Sequence, residues 1–68
     1  MATIYKNVGE QIRKFRKKAG LSQHEFALKS RIDLTSISEI ESGLRNPSLK
    51  TLHKIALALK VSVKELFG

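Results

Sequence analysis

The stretch QHEFALKSRIDLTSISEIES, Gln23 to Ser42, decides the fold. Its apolar residues are Phe26, Ala27, Leu28, Ile32, Leu34, Ile37 and Ile40. Five of them, Phe26, Ala27, Ile32, Ile37 and Ile40, have the spacing by which one short helix braces another across a tight turn. The polar face left over, around Thr35, Ser36, Ser38 and Glu39, is small and flexible in hydrogen bonding. Just before the stretch, Ser22 with Glu25 three residues on forms a capping box, and Leu21 can staple onto Phe26. A helix is expected over 23–29. Ser30-Arg31-Ile32 is the turn, and Asp33 is a good N-cap for a helix over 34–42. Thr35, Ser36 and Ser38 are weak helix formers, so packing of Ile37 and Ile40 has to hold that helix. Gly43 ends it.

Upstream, Ile4, Val8, Ile12 and Phe15 recur at steps of four, four and three, a helical stripe over 5–19 that Gly20 stops. Arg13, Lys14, Lys17 and Lys18 occupy the opposite face. Downstream, Leu44-Arg45-Asn46-Pro47 is a loop, because proline biases the residue before it away from helical geometry. Ser48 caps a helix over 49–59 with the stripe Leu49, Leu52, Ile55, Ala56 and Leu59. Ser62 and Glu65 make a second capping box that opens a last helical turn over 63–67. The reading is an all-α chain of five helices without strands, forming a single domain over residues 1–68.

The composition narrows the function. A chain of 68 residues has room for one small core and for no separate ligand or protease domain. There is no cysteine, hence no disulfide framework and no thiolate metal site. His24 and His53 are far apart and lack partners at ligand spacing, so no metal and no cofactor is expected. The opening residues carry no apolar leader core, and no apolar run approaches the ~20 residues that span a bilayer. A cytoplasmic location is the expectation. The net charge is +7, and residues 1–20 alone carry six basic and one acidic side chain. That imbalance points to a polyanionic partner, although a basic helix face also serves solubility. No nucleophile–base arrangement and no glycine-rich phosphate loop is present, so an enzyme is not expected.

Two helices joined by a three- or four-residue turn and packed steeply make a helix-turn-helix. Ala27 faces the partner helix, where a larger side chain would push the two apart. On the residues alone, a DNA-binding unit and a plain helical hairpin both remain open.

The chain from about Val8 to Phe67 resembles the Xre/Cro/CI-type helix-turn-helix family of bacterial and phage regulators. The resemblance lies in IRKFRKKAGLSQ, the Glu25-Phe26-Ala27 step, ISEIESG, the RNPSL loop and the closing ALKVSVKELF. The DLTSIS-to-RNPSL region is similar to controller proteins of restriction–modification systems. The resemblance implies a five-helix, lambda-repressor-like domain that binds double-stranded DNA as a homodimer on a palindromic operator and regulates transcription, for instance as a repressor. Helix 34–42 would then be the recognition helix in the major groove. Thr35, Ser36, Ser38 and Glu39 would meet base edges, Glu39 best at a cytosine amino group and Leu34 at a thymine methyl. Gln23, at a helix start, would contact phosphate, as would Arg45 and Asn46 with help from Lys50. Arg16 would pair with Glu41 as a structural brace. Val61, Val63, Leu66 and Phe67 would form the dimer surface.

Two departures from the family pattern stand out. Arg31 occupies the turn position usually held by glycine, and Leu34 stands where controller-like members often carry arginine or another polar residue. Two other classes compete with the DNA-binding reading. One is an antitoxin-like or adaptor protein whose main partner is another protein. The other is a membrane-surface amphipathic helix over the first segment.

Overall fold

The computed structural model describes residues 3–68; Met1 and Ala2, part of the opening read for a leader, lie outside it. The described residues form α1 (Thr3–Lys18), α2 (Gln23–Ser30), α3 (Leu34–Ser42) and α4 (Leu49–Leu59), then a 3-10 helix (Val63–Phe67), with no strand among them. The architecture is all-α. The first helix starts two residues before its expected position and ends one residue sooner, and α2 gains Ser30.

The fifth helix of the sequence reading is thus a 3-10 turn. The Glu65 amide donates to the Ser62 carbonyl at 3.1 Å, closing an i→i+3 ring. The Ser62 amide and hydroxyl both donate to the Glu65 carboxylate, at 2.9 and 3.2 Å. Helical pieces this short commonly take 3-10 geometry.

The starts of α2, α3 and α4 are capped as their sequences require. At α2 the Glu25 amide donates to Ser22 Oγ at 3.0 Å, and the Ser22 amide donates to Glu25 Oε1 at 2.8 Å. At α3 the Ser36 amide donates to Asp33 Oδ2 at 2.9 Å. At α4 the Thr51 amide donates to Ser48 Oγ at 3.1 Å. These bonds satisfy donors that a helix leaves open at its first turn.

The helix ends share one device as well. At Gly20, Arg31, Gly43 and Lys60 the chain turns left-handed. The amide of the following residue reaches back to the carbonyl five positions earlier, as in Ile32 to Ala27 at 3.1 Å and Leu44 to Glu39 at 2.9 Å. This is the Schellman closure. Arg31 keeps the conformation that glycine would adopt more cheaply, at a cost of roughly 1 kcal/mol.

The core is built from every helix. Val8, Ile12, Phe26, Ile37, Ile40, Leu52, Ile55 and Leu66 are buried with Ala27, Ala56, Ala58 and Leu59. Phe15, Leu21, Ile32, Val61 and Val63 pack against its edge. Two expectations from the stripes and one from the resemblance need correcting. Ile4 and Leu49 sit in the first turns of α1 and α4, and they project past the packed region as exposed side chains. Leu66, expected on a dimer surface, is fully buried, because the 3-10 helix folds back and inserts it beneath α1 and α4. Phe67 remains half exposed.

Gly9 sets the placement of α3. A Cβ there would lie 2.3 Å from the Ile40 carbonyl oxygen and 2.8 Å from that of Glu41. Only a residue without a side chain lets α1 run this close to the back of α3. The front of α3 is thereby held outward.

Candidate nucleic-acid interface

The outer face of α3 is formed by Leu34, Thr35 and Ser38, all exposed. Thr35 and Ser38 offer hydroxyls that donate or accept. Leu34 borders a shallow apolar groove with Leu28 and Ile32. Ser36 is half-buried, and its hydroxyl donates to Asp33 Oδ1 at 2.8 Å. Its first duty in the free protein is therefore to the helix cap. The two bonds from Ser36, the amide foremost, hold the Asp33 carboxyl below its ordinary range. The amide and hydroxyl of Ser22 do the same for Glu25.

Behind this face stands a buried brace. Arg16 Nε donates to Glu41 Oε2 at 2.6 Å, and Arg16 Nη2 donates to Glu41 Oε1 at 3.0 Å. Arg16 Nη1 donates to the Leu21 carbonyl at 2.7 Å. The guanidinium thus ties α1 to both α3 and the α1–α2 turn. The residues are 6% and 7% exposed, so the pair is shielded from solvent. A planar, forked cation suits this place, since it satisfies two carboxylate oxygens and one carbonyl at once.

Gln23 joins the same network. Its Nε2 donates to Glu41 Oε1 at 3.0 Å, so its side-chain amide is engaged inside the protein. Sequence reasoning missed this partner. The resemblance paired Arg16 with Glu41 but gave no sign that Gln23 joins them.

Glu39 and Arg45 are also joined. Arg45 Nε and Nη2 both approach Glu39 Oε1, at 2.9 and 2.8 Å. One residue read as a base contact and one read as a phosphate clamp therefore neutralise each other in the free protein. The pair is exposed, with side-chain values of 48% and 40%. Asn46 and Lys50 are exposed in the loop and first turn of α4 nearby. The structure brings Thr35, Ser38, Glu39, Arg45 and Asn46 to the surface of α3 and its following loop. Arg13, Lys14, Lys17 and Lys18 are exposed along α1. Among the described residues no group of three metal-ligating side chains converges, and no helix is long and apolar enough to cross a membrane.

The same helical arrangement recurs in known proteins. A helix-turn-helix family profile matches residues 12–66. The control protein C.MunI of a Mycoplasma species is 45% identical over 61 residues, which cover 88% of this chain and 82% of that protein. The crystal structure of the restriction–modification controller protein C.AhdI from Aeromonas hydrophila superposes with a TM-score of 0.90 at 36% identity, covering 93% of this chain and 96% of that one. That of SinR, described as the master regulator for biofilm formation and solved in complex with DNA, gives a TM-score of 0.86 at 37% identity, covering 90% and 98%. The chain belongs to the helix-turn-helix family of Xre type, whose members among these relatives are regulators and controller proteins rather than enzymes.

Proposed function

We propose that this chain binds double-stranded DNA as a homodimer on a palindromic operator and so regulates transcription. Helix α3 lies in the major groove. Leu34, Thr35 and Ser38 meet base edges directly, Leu34 through a thymine methyl. Ser36 joins them to the extent that its bond to Asp33 yields. Glu39 accepts from a cytosine amino group with Oε2, the oxygen that Arg45 leaves open. Arg45, Asn46 and Lys50 grip phosphates on one side of the helix, and the start of α2 at Gln23 grips them on the other. Val61, Val63 and Phe67 supply the surface for the second copy, and Leu66 supports them from the core.

The observation that carries this reading is the contrast across α3. Its inner face is fixed by Gly9, Ile37, Ile40 and the Arg16–Glu41 brace, while its outer face presents short polar side chains, one leucine and the Arg45-paired Glu39. A helix held this firmly with so little on its outer face is suited to enter a groove. The likeness to SinR, a protein solved with DNA, supports it.

Selection of preferred sequences from random duplex DNA tests the reading. A two-fold symmetric site is expected, with half-sites about one helical turn, roughly 34 Å, apart. Recovery of no preferred sequence, with tight retention of a protein partner in its place, would favour the adaptor reading.

A further inference from the structure

All four α-helices end on a left-handed residue, yet only two of those ends use glycine. The others place Arg31 and Lys60 at φ 59°, with nearly equal ψ values of 39° and 41°. A side chain in that conformation bears strain that glycine avoids. Its presence asks what the side chain does.

For Arg31 the surroundings supply an answer. A cavity of about 380 Å³ lies between the α2–α3 turn, the start of α3, the following loop and α4, and its walls include Arg31, Asp33, Arg45, Asn46 and Lys54. Arg45 and Asn46 are the clamp proposed above. Asp33 is the one carboxylate on the wall, and both its oxygens are held by Ser36, at 2.9 and 2.8 Å. Among the described residues neither Arg31 nor Lys54 has a carboxylate at ion-pair distance. The two also share an adjoining hollow with Lys29. Beyond Arg45, which Glu39 pairs, cationic charge without an ion-pair partner therefore continues through Lys54 to Arg31 at the helix-turn-helix elbow. Lys60, with the same backbone conformation, borders neither hollow.

We infer that Arg31 and Lys54 bind a backbone phosphate of the duplex beyond the base-contacting core, extending the Arg45–Asn46 clamp onto flanking DNA. The inference rests on the DNA-binding reading above. It also accounts for an arginine at a turn position where glycine would fit with less strain.

Lys60 provides the control, since Arg31→Gly and Lys60→Gly each relieve one left-handed side chain and each remove one positive charge. Melting temperature, and affinity for a selected and a random duplex across a salt series, are measured for the wild type, both glycine variants and Lys54→Gln. Both glycine variants should melt at or above the wild-type temperature. Only Arg31→Gly and Lys54→Gln should weaken binding to both duplexes alike and flatten the slope of log K against log salt by about 1. Trimming the outer base pairs of the duplex should erase their difference from wild type. If Arg31→Gly binds as wild type, or loses no more than Lys60→Gly, the inference is overturned while the DNA reading stands. If the wild type itself binds no duplex in a salt-dependent way, both fall together.

Discussion

Glu39 and Glu41 stand two residues apart on α3, each joined to an arginine, and the two pairs serve different ends. The Arg16–Glu41 side chains are 8% and 3% exposed, whereas those of Glu39 and Arg45 are 40% and 48% exposed. A buried pair has given up its water, so removing one partner strands an uncompensated charge. An exposed pair adds about 0–1 kcal/mol and exchanges readily with solvent ions or a ligand. The inner pair is thus suited to hold α3 in place. The outer pair is suited to be rearranged by whatever α3 meets. The same chemistry becomes scaffold or contact surface according to burial.

Arg16→Ala tests the inner pair and should have the largest effect, about 3–5 kcal/mol in denaturant unfolding. Replacing both partners, Arg16→Met with Glu41→Leu, should recover much of that loss. Unchanged stability with weakened DNA binding would instead make Arg16 a contact residue. Thr35→Ala, on the face between the pairs, should cost of order 1–3 kcal/mol on a selected duplex and little on a random one; equal losses on both would remove Thr35 from base recognition.

The outer pair should respond in the opposite way. Arg45→Ala is expected to change folding stability by less than about 1 kcal/mol and to weaken binding to all duplexes. Glu39→Gln releases Arg45 from its partner and removes a charge that repels phosphate. It should tighten binding to random DNA while discrimination falls. A large stability loss from either variant would erase the contrast between the pairs.

The smallest effect concerns the caps. The Asp33 and Glu25 carboxyls are held below their ordinary range, so the folded chain binds protons less readily there than the unfolded chain. The stability they contribute is present at neutral pH and is lost as pH falls through their lowered folded-state values. Asp33→Ser keeps a cap without that titration. Thermal melts between about pH 2 and 5 should then show a shallower acid loss than wild type.

Much of this was legible in the residues. Ser22 with Glu25, Asp33 and Ser48 marked helix starts, because capping is local chemistry. Ile12, Phe26, Ile37, Ile40 and Ile55, each placed by the apolar spacing of its own helix, marked the core, because burial follows periodicity. What escaped was tertiary. Ile4 and Leu49 fit their stripes, but periodicity does not say where the partner surface ends. Leu66 looked available because the fold-back of the last turn is not a local property. Gly9 sits unremarkably within a helix until α3 is seen 2.3 Å from the Cβ it lacks. The site divided the same way. Family resemblance brought Arg16 to Glu41, whereas the bonds from Gln23 to Glu41 and from Arg45 to Glu39 depend on how helices converge. Arg31 was visible as an oddity in the turn, but its shared cavity with Lys54 was not.

The central claim is that α3 is held rigidly from behind so that its front can read DNA. Its most direct test is titration of the wild-type chain with a selected duplex and with a scrambled duplex across a salt series. A steep linear fall of log K with log salt is expected on both, with slope near −0.9 for each phosphate neutralised, together with tighter binding to the selected sequence at every salt concentration. A slope near zero, or equal affinity for the two duplexes, would contradict it.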